Sequence, residues 1–256
     1  MRLTLERVVT SPAVRLRNLT RNFGSGENLT PVLRGIDLDL QLGEISLLVG
    51  QSGSGKTTLL SIIAGLLEPT SGTVEVLGHN LSEMSASKQI RFRRTNLGFA
   101  FQQFNLLPTL TTIENVAVPL LAASVPRKFA FKQAADMLFR VGLGTKLDVL
   151  PRQLSGGQQQ RVAFARALVH DPRLIICDEP TSALDAATGQ NVMELLATIA
   201  VRPDRAVIIV THDDRIFRFG HVIHTMDDGS IIDSQRAAPR LQAEFKTLQP
   251  ASLTTT

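Results

Sequence analysis

Eight consecutive residues, Gly50-Gln51-Ser52-Gly53-Ser54-Gly55-Lys56-Thr57, fit the pattern GxxxxGK[ST]. Glycines at these positions let successive backbone N–H groups turn inward around a phosphate, and a helix starting behind them adds partial positive charge. Lys56 then reaches the β- and γ-phosphates, and the Thr57 hydroxyl holds magnesium. A second segment, Leu174-Ile175-Ile176-Cys177-Asp178-Glu179, is an apolar run ending in two acids. Successive strand side chains point to opposite faces, so the two carboxylates take different tasks. Asp178 serves magnesium, directly or through water, and Glu179 faces an attacking water as general base, worth about 10²- to 10⁴-fold in rate. In a third segment, Leu154-Ser155-Gly156-Gly157-Gln158, Ser155 caps a helix running through Arg161 and Val169. That is a second anion-binding helix start in one chain.

The elements that must hold these residues are readable from the apolar pattern. Ile45–Val49 lacks alternation, as expected of a strand covered on both faces in a parallel sheet. After the glycine turn, Leu59, Leu60, Ile62, Ile63, Leu66 and Leu67 recur at helical spacing until Pro69. Ile36, Leu38 and Leu40 alternate with Asp37 and Asp39, and Val74 and Val76 flank Glu75, so the first 80 residues read mostly as strands. Residues 85 to about 170 read as mainly helical, with Lys88, Arg91, Arg93 and Arg94 early and breaks at Pro108, Pro119, Pro126 and Pro151. This suggests an inserted helical subdomain. Two buried strands, Leu174–Cys177 and Val207–Val210, flank a helix near Asn191–Ala200 in the βαβ rhythm of a parallel sheet. Asp228-Gly229 suits a hairpin between Val222–Met226 and Ser230–Ile232, and the polar, Thr-rich tail from residue 234 to 256 is expected to be partly disordered.

The phosphate loop, LSGGQ, the IICDEP strand, SALD and VTHD, in this order, resemble the nucleotide-binding subunit of an ABC (ATP-binding cassette) transporter over residues 14–233. The resemblance implies an α/β fold: a P-loop NTPase parallel-sheet core with an N-terminal antiparallel β subdomain and an inserted α-helical subdomain at about 85–165. It implies an ATPase that uses ATP and Mg2+ and works as a head-to-tail dimer. Gly50, Gln51, Ser52, Gly53, Ser54, Gly55, Lys56, Thr57 and Thr58 of one protomer, with Ser155, Gly156, Gly157 and Gln158 of the other, would sandwich each ATP. Thr57, Gln102 and Asp178 would hold the magnesium. Gln102, in GFAFQ, would also touch the reaction water, although Gln103 beside it could exchange roles. Asp185 in SALD would communicate between the two ATP sites; unaided, it reads as a helix cap. His212 would contact the γ-phosphate and hold the catalytic geometry. Phe23 lies where the family usually stacks a tyrosine on adenine; the alternative is a core phenylalanine. Gly98–Leu121, with FNLLP and ENVAVPLL, resembles the lipoprotein-releasing and macrolide-exporting (LolD and MacB) branch, although Ser182 stands where that branch often has glycine. Export or extraction would follow, or else FtsE-like mechanical regulation of a membrane partner.

Composition bounds these expectations. The chain has 256 residues, 43% of them hydrophobic and 20% charged, enough for a sizeable core. Its apolar runs fall far short of the about 18 residues that span a bilayer, and the opening MRLTLERVVTSP lacks the continuous apolar stretch of a secretory signal. Integral membrane permease subunits are therefore expected as separate partners, with this chain peripheral on the cytoplasmic side of the inner membrane. Lys and Arg (27) barely exceed Asp and Glu (23), six Arg against two Glu fall in residues 1–34, and Trp and Tyr are absent. No nucleic acid is expected as a partner. A soluble ABC ATPase of DNA repair or translation would call for a long coiled coil or a second cassette, and neither is visible. Cys177 reads as a small buried hydrophobe, and His79, His170, His221 and His224 show no metal-ligand arrangement.

Overall fold

A computed structural model describes residues 11–237. The chain begins with β1 (Val14–Phe23) and β2 (Thr30–Leu40), an antiparallel pair. β4 (Ser71–Val76) and β5 (His79–Asn80) extend it into a four-stranded sheet of order β2-β1-β4-β5. The expected alternation holds on β2, where Ile36, Leu38 and Leu40 are buried and Asp37 and Asp39 exposed.

The second sheet has six strands in the order β10-β9-β3-β8-β7-β6. They are β3 (Ile45–Val49), β6 (Leu97–Ala100), β7 (Leu174–Asp178), β8 (Ala206–Thr211), β9 (Val222–Asp227) and β10 (Ser230–Arg236). All neighbours are parallel except the β9–β10 hairpin. Two apolar layers cover this sheet. Leu47, Ile175, Cys177, Val207 and Ile209 face one layer, while Leu48, Leu174, Ile176, Ile208 and Val210 face the other. Alternate residues of each strand thus enter opposite layers, which is why the strands read as unbroken apolar runs.

Among the described residues there are six α-helices, besides short 3-10 turns: α1 (Lys56–Ile63), α2 (Ala86–Asn96), α3 (Thr112–Ala122), α4 (Arg127–Arg140), α5 (Gly156–Leu168) and α6 (Ala186–Ala200). α3 opens on a capping box between Thr111 and Glu114, and α5 on one between Ser155 and Gln158. Among the described residues no helix is long and apolar enough to cross a membrane.

Four local readings are corrected. The mainly helical stretch from 85 to about 170 also holds a strand that the sequence reading lacked, since Leu97–Ala100 forms the edge strand β6, parallel to β7. α1 stops at Ile63, since Gly65 turns left-handed (φ 64°), and this leaves Leu66 exposed. α6 begins at Ala186, ahead of Asn191, on the Asp185 cap. β10 runs to Arg236, past the expected Ile232. The remainder of the Thr-rich tail, 238–256, lies outside the described residues.

Candidate active site at the strand ends

The parallel strands deliver their carboxyl ends to one crevice, the position where open α/β sheets bind ligands. β3 leads through the glycine turn into α1, β7 ends at Asp178, β8 is followed by His212, and Gln102 lies two residues past β6. Together they enclose a cavity of about 640 Å³ lined by Gly50, Gln51, Ser52, Gly53, Gly55, Lys56, Thr57, Thr58, Gln102, Asp178, Glu179 and His212, with Val32 and Val210. That volume suits a ligand of nucleotide size.

The glycine turn closes tightly against the rest of the fold. At Gly50 (φ 154°), a Cβ would lie 2.1 Å from the Met226 carbonyl oxygen, so no side chain fits. The Lys56 ammonium donates to the carbonyls of Gly50 (2.8 Å) and Gln51 (2.7 Å) and to Ser54 Oγ (3.3 Å). Burial lowers its pKa, and the negative charges of Glu179 and Asp178 oppose that shift. The Ser54 side chain is buried against Lys56 and does not line the cavity.

The two acids differ as strand geometry requires. The half-buried Asp178 carboxyl is raised above its ordinary range, first by burial and then by Glu179, while a hydrogen bond from the Thr57 side chain and the Lys56 charge pull it back. Glu179 leaves the strand in a left-handed conformation (φ 50°). Its backbone N–H donates to Val210 O (2.9 Å), and its carbonyl accepts the Ser182 hydroxyl (2.9 Å). Ser182, the departure from the branch pattern, therefore braces this turn. The Glu179 carboxylate lies 2.8 Å from His212 Nδ1, with the histidine 67% exposed and the acid 15%. The loop carrying His212 is pinned by the Asp213 N–H on Thr211 Oγ1 (3.0 Å) and by Arg215 on the Asp213 carboxylate (2.7 Å). The Arg215 hydrogen bond also holds the Asp213 carboxyl below its usual range.

Gln102 lines the cavity and Gln103 does not. Ser155, Gly156, Gly157, Gln158 and Asp185 lie outside its walls. Ser155 Oγ accepts the Gln158 N–H (3.4 Å), and Gln158 Oε1 accepts the Ser155 N–H (3.1 Å). Asp185 caps α6 by accepting the Thr188 N–H (3.0 Å). The two segments touch: a Cβ on Gly156 would lie 3.2 Å from Leu184 Cδ2, and one on Gly157 2.3 Å from Thr188 Cγ2. Phe23 is also outside the cavity walls, but it is no core residue. It is 40% exposed, with the Arg21 guanidinium 4.5 Å above its ring. Val32 and Val210 escaped the sequence reading because an apolar strand residue carries no chemical signal of its own. The other four histidines line no part of this cavity, and buried Cys177 has its thiol pKa pushed up by desolvation.

Residues 33–182 match the ABC transporter family. An uncharacterized ABC transporter ATP-binding protein of Mycobacterium tuberculosis is 39% identical over 94% of this chain and 95% of its own length. The lipoprotein-releasing system ATP-binding protein LolD of Shewanella frigidimarina is 43% identical over 84% of this chain and 90% of its own. The macrolide export ATP-binding/permease protein MacB 1/2 of Paracoccus denitrificans is 42% identical over 88% of this chain, which spans only 34% of that larger protein. Among solved structures, the dimeric ATP-binding cassette MJ0796 in a post-hydrolysis state bound to ADP and Pi superposes with a TM-score of 0.78 at 38% identity. The match covers 87% of this chain and 98% of that one. The strand-end cavity and these likenesses agree: the chain belongs to the ABC transporter family, as an ATP-binding, ATP-hydrolysing cassette of the LolD and MacB type.

Proposed function

We propose that this cassette powers export or extraction of a substrate through separate membrane-spanning subunits, as a head-to-tail dimer with an ATP sandwiched at each phosphate loop. One observation carries the reading. A single chain bears a cavity with loop, acids and histidine, and also a capped helix start at Ser155–Gln158 that forms none of its walls. A second copy supplies that helix start to the first copy's γ-phosphate. LolD and MacB, named for lipoprotein release and macrolide export, support the direction. The cassette then sits on the cytoplasmic side of the inner membrane, and the exposed Phe23 ring offers a π face to adenine.

The donor set fits magnesium. The Thr57 hydroxyl, the Asp178 carboxylate and the Gln102 amide are hard oxygen ligands, and the desolvated Asp178 beside Glu179 lacks a full counter-charge. Held there, the ion would supply positive charge against the phosphate oxygens. Lys56 exchanges its carbonyl partners for phosphate oxygens. Glu179 orients the attacking water and receives its proton, while His212 fixes the Glu179 carboxylate through the 2.8 Å contact. Gln102 senses the same water from the turn after β6, and Asp185 links its site to the signature segment across the dimer.

Glu179→Gln tests the reading. Turnover should fall about 10²- to 10⁴-fold, while ATP remains bound and a stable dimer appears on size-exclusion chromatography. An undiminished rate, or a monomer at saturating ATP, refutes it. Substrate flux in vesicles containing the membrane subunits tests the transport half; ATP turnover without flux refutes that half alone.

A further inference from the structure

The chain after Gln102 makes a tight turn in which Phe104 (φ 57°) and Asn105 (φ 46°) are both left-handed. Such backbone persists in non-glycine residues only where the surroundings over-determine it. Here the determinant is one side chain of α5. Arg166 donates from Nη1 to the Asn105 carbonyl (2.6 Å) and from Nη2 to the Phe104 carbonyl (2.8 Å). Among the described residues no carboxylate pairs with this guanidinium, and burial lowers its pKa. Its charge is spent on two consecutive carbonyls, a use that needs the planar fork of arginine. Farther up the same helix, the Phe104 ring lies 4.0 Å from where a Gly156 Cβ would stand. The turn is thus held to α5 by Arg166, and its Phe104 ring comes near the signature segment.

We propose that Arg166 is a positioning residue for ATP hydrolysis. It fastens the Gln102 turn to α5, so that the amide at one γ-phosphate and the Ser155 helix start offered to the partner's nucleotide move as one body. The proposal rests on the role given above to Gln102. Without the clamp, the left-handed pair relaxes and Gln102 loses its fixed approach to the water. The phosphate loop, which holds ATP, lies on a different strand and is left intact.

The test uses the full chain with Arg166→Lys, which keeps the charge but serves one carbonyl at a time, and Arg166→Met, which keeps the stem without donors. Both are made in the native and Gln102→Ala backgrounds, with kcat and KM for ATP measured and folding followed by thermal melting. In the native background, kcat should fall about ten- to hundredfold for Met and less for Lys, with KM changed less than about twofold. In the Gln102→Ala background neither substitution should lower kcat further. Equal losses in both backgrounds, a change confined to KM, unchanged kcat, or failure of both variants to fold overturns the proposal while leaving the role of Gln102 standing. Should Gln102→Ala alone leave turnover unchanged, the role of Gln102 falls, and this proposal with it.

Discussion

Gly157→Ala separates packing from phosphate chemistry in the signature segment. The added Cβ would stand 2.3 Å from Thr188 Cγ2 and 3.8 Å from Thr188 Cβ. Carbon atoms rest about 3.5–4.0 Å apart, so more than about an ångström must be found. Thr188 gives way poorly: it is β-branched inside α6, and its N–H is engaged by Asp185. Overpacking of this kind costs about 1–3 kcal/mol. The gain from replacing glycine in a helix is at most about 1 kcal/mol, and less in a first turn. The net is about 1–2 kcal/mol, and at about 2–4 °C per kcal/mol for a chain of this size the melting temperature should drop by roughly 2–8 °C. Gly156→Ala, whose nearest neighbour is the flexible end of Leu184 at 3.2 Å, should melt close to wild type. Adding Thr188→Ser to Gly157→Ala removes the offending methyl and should restore the melting temperature. ATP turnover should recover with it, because the new methyl points at Thr188 and Val192 of α6. Differential scanning calorimetry and a phosphate-release assay read the two effects separately. An unchanged melting temperature for Gly157→Ala, or a drop that Thr188→Ser does not relieve, refutes the packing argument.

Two further perturbations probe the rest of the site. An acid whose folded pKa is raised, as for Asp178, binds more protons folded than unfolded above its ordinary value of 3.8. Stability without nucleotide or metal therefore falls as pH rises through that window and stays lower at neutral pH. Asp178→Asn should melt higher than wild type at pH 7 in chelator, with the gap closing towards acid and the stabilisation by magnesium and ATP lost; a gap independent of pH counts against the cause assigned. In Gly98→Ala the new Cβ would meet the Ala167 carbonyl oxygen at 2.2 Å, forcing β6 and α5 apart. A loss of about 1–3 kcal/mol in urea unfolding is expected, and an unshifted midpoint would refute the close packing of β6 on α5.

The catalytic strands were legible because each is buried on both faces and ends in or just before its functional residues, as Leu174–Asp178 does. β6 was not: four residues long, it contains a glycine and follows a basic helix, so neither length nor periodicity marked Leu97–Ala100 as a strand. Its glycine reflects the close approach of Ala167, a tertiary cause that no local pattern carries. The same limit applied to Gln102 and Gln103, since only the direction in which β6 ends decides which amide enters the cavity. The contact of the Ser54 side chain was equally illegible. Its place in the motif is unambiguous, but its hydroxyl is taken by the neighbouring ammonium. Arg166 gave no sign at all, because its partners are backbone carbonyls distant in sequence.

The backbone at Glu179 points to an evolutionary tension. A glycine there would adopt φ 50° without the penalty of roughly 1–2 kcal/mol that a side chain incurs. Glu179→Gly should accordingly yield a hardier protein that no longer turns over ATP. Libraries screened for heat tolerance alone would drift towards that dead variant, so thermostabilised descendants of this cassette have to be selected for survival and catalysis together.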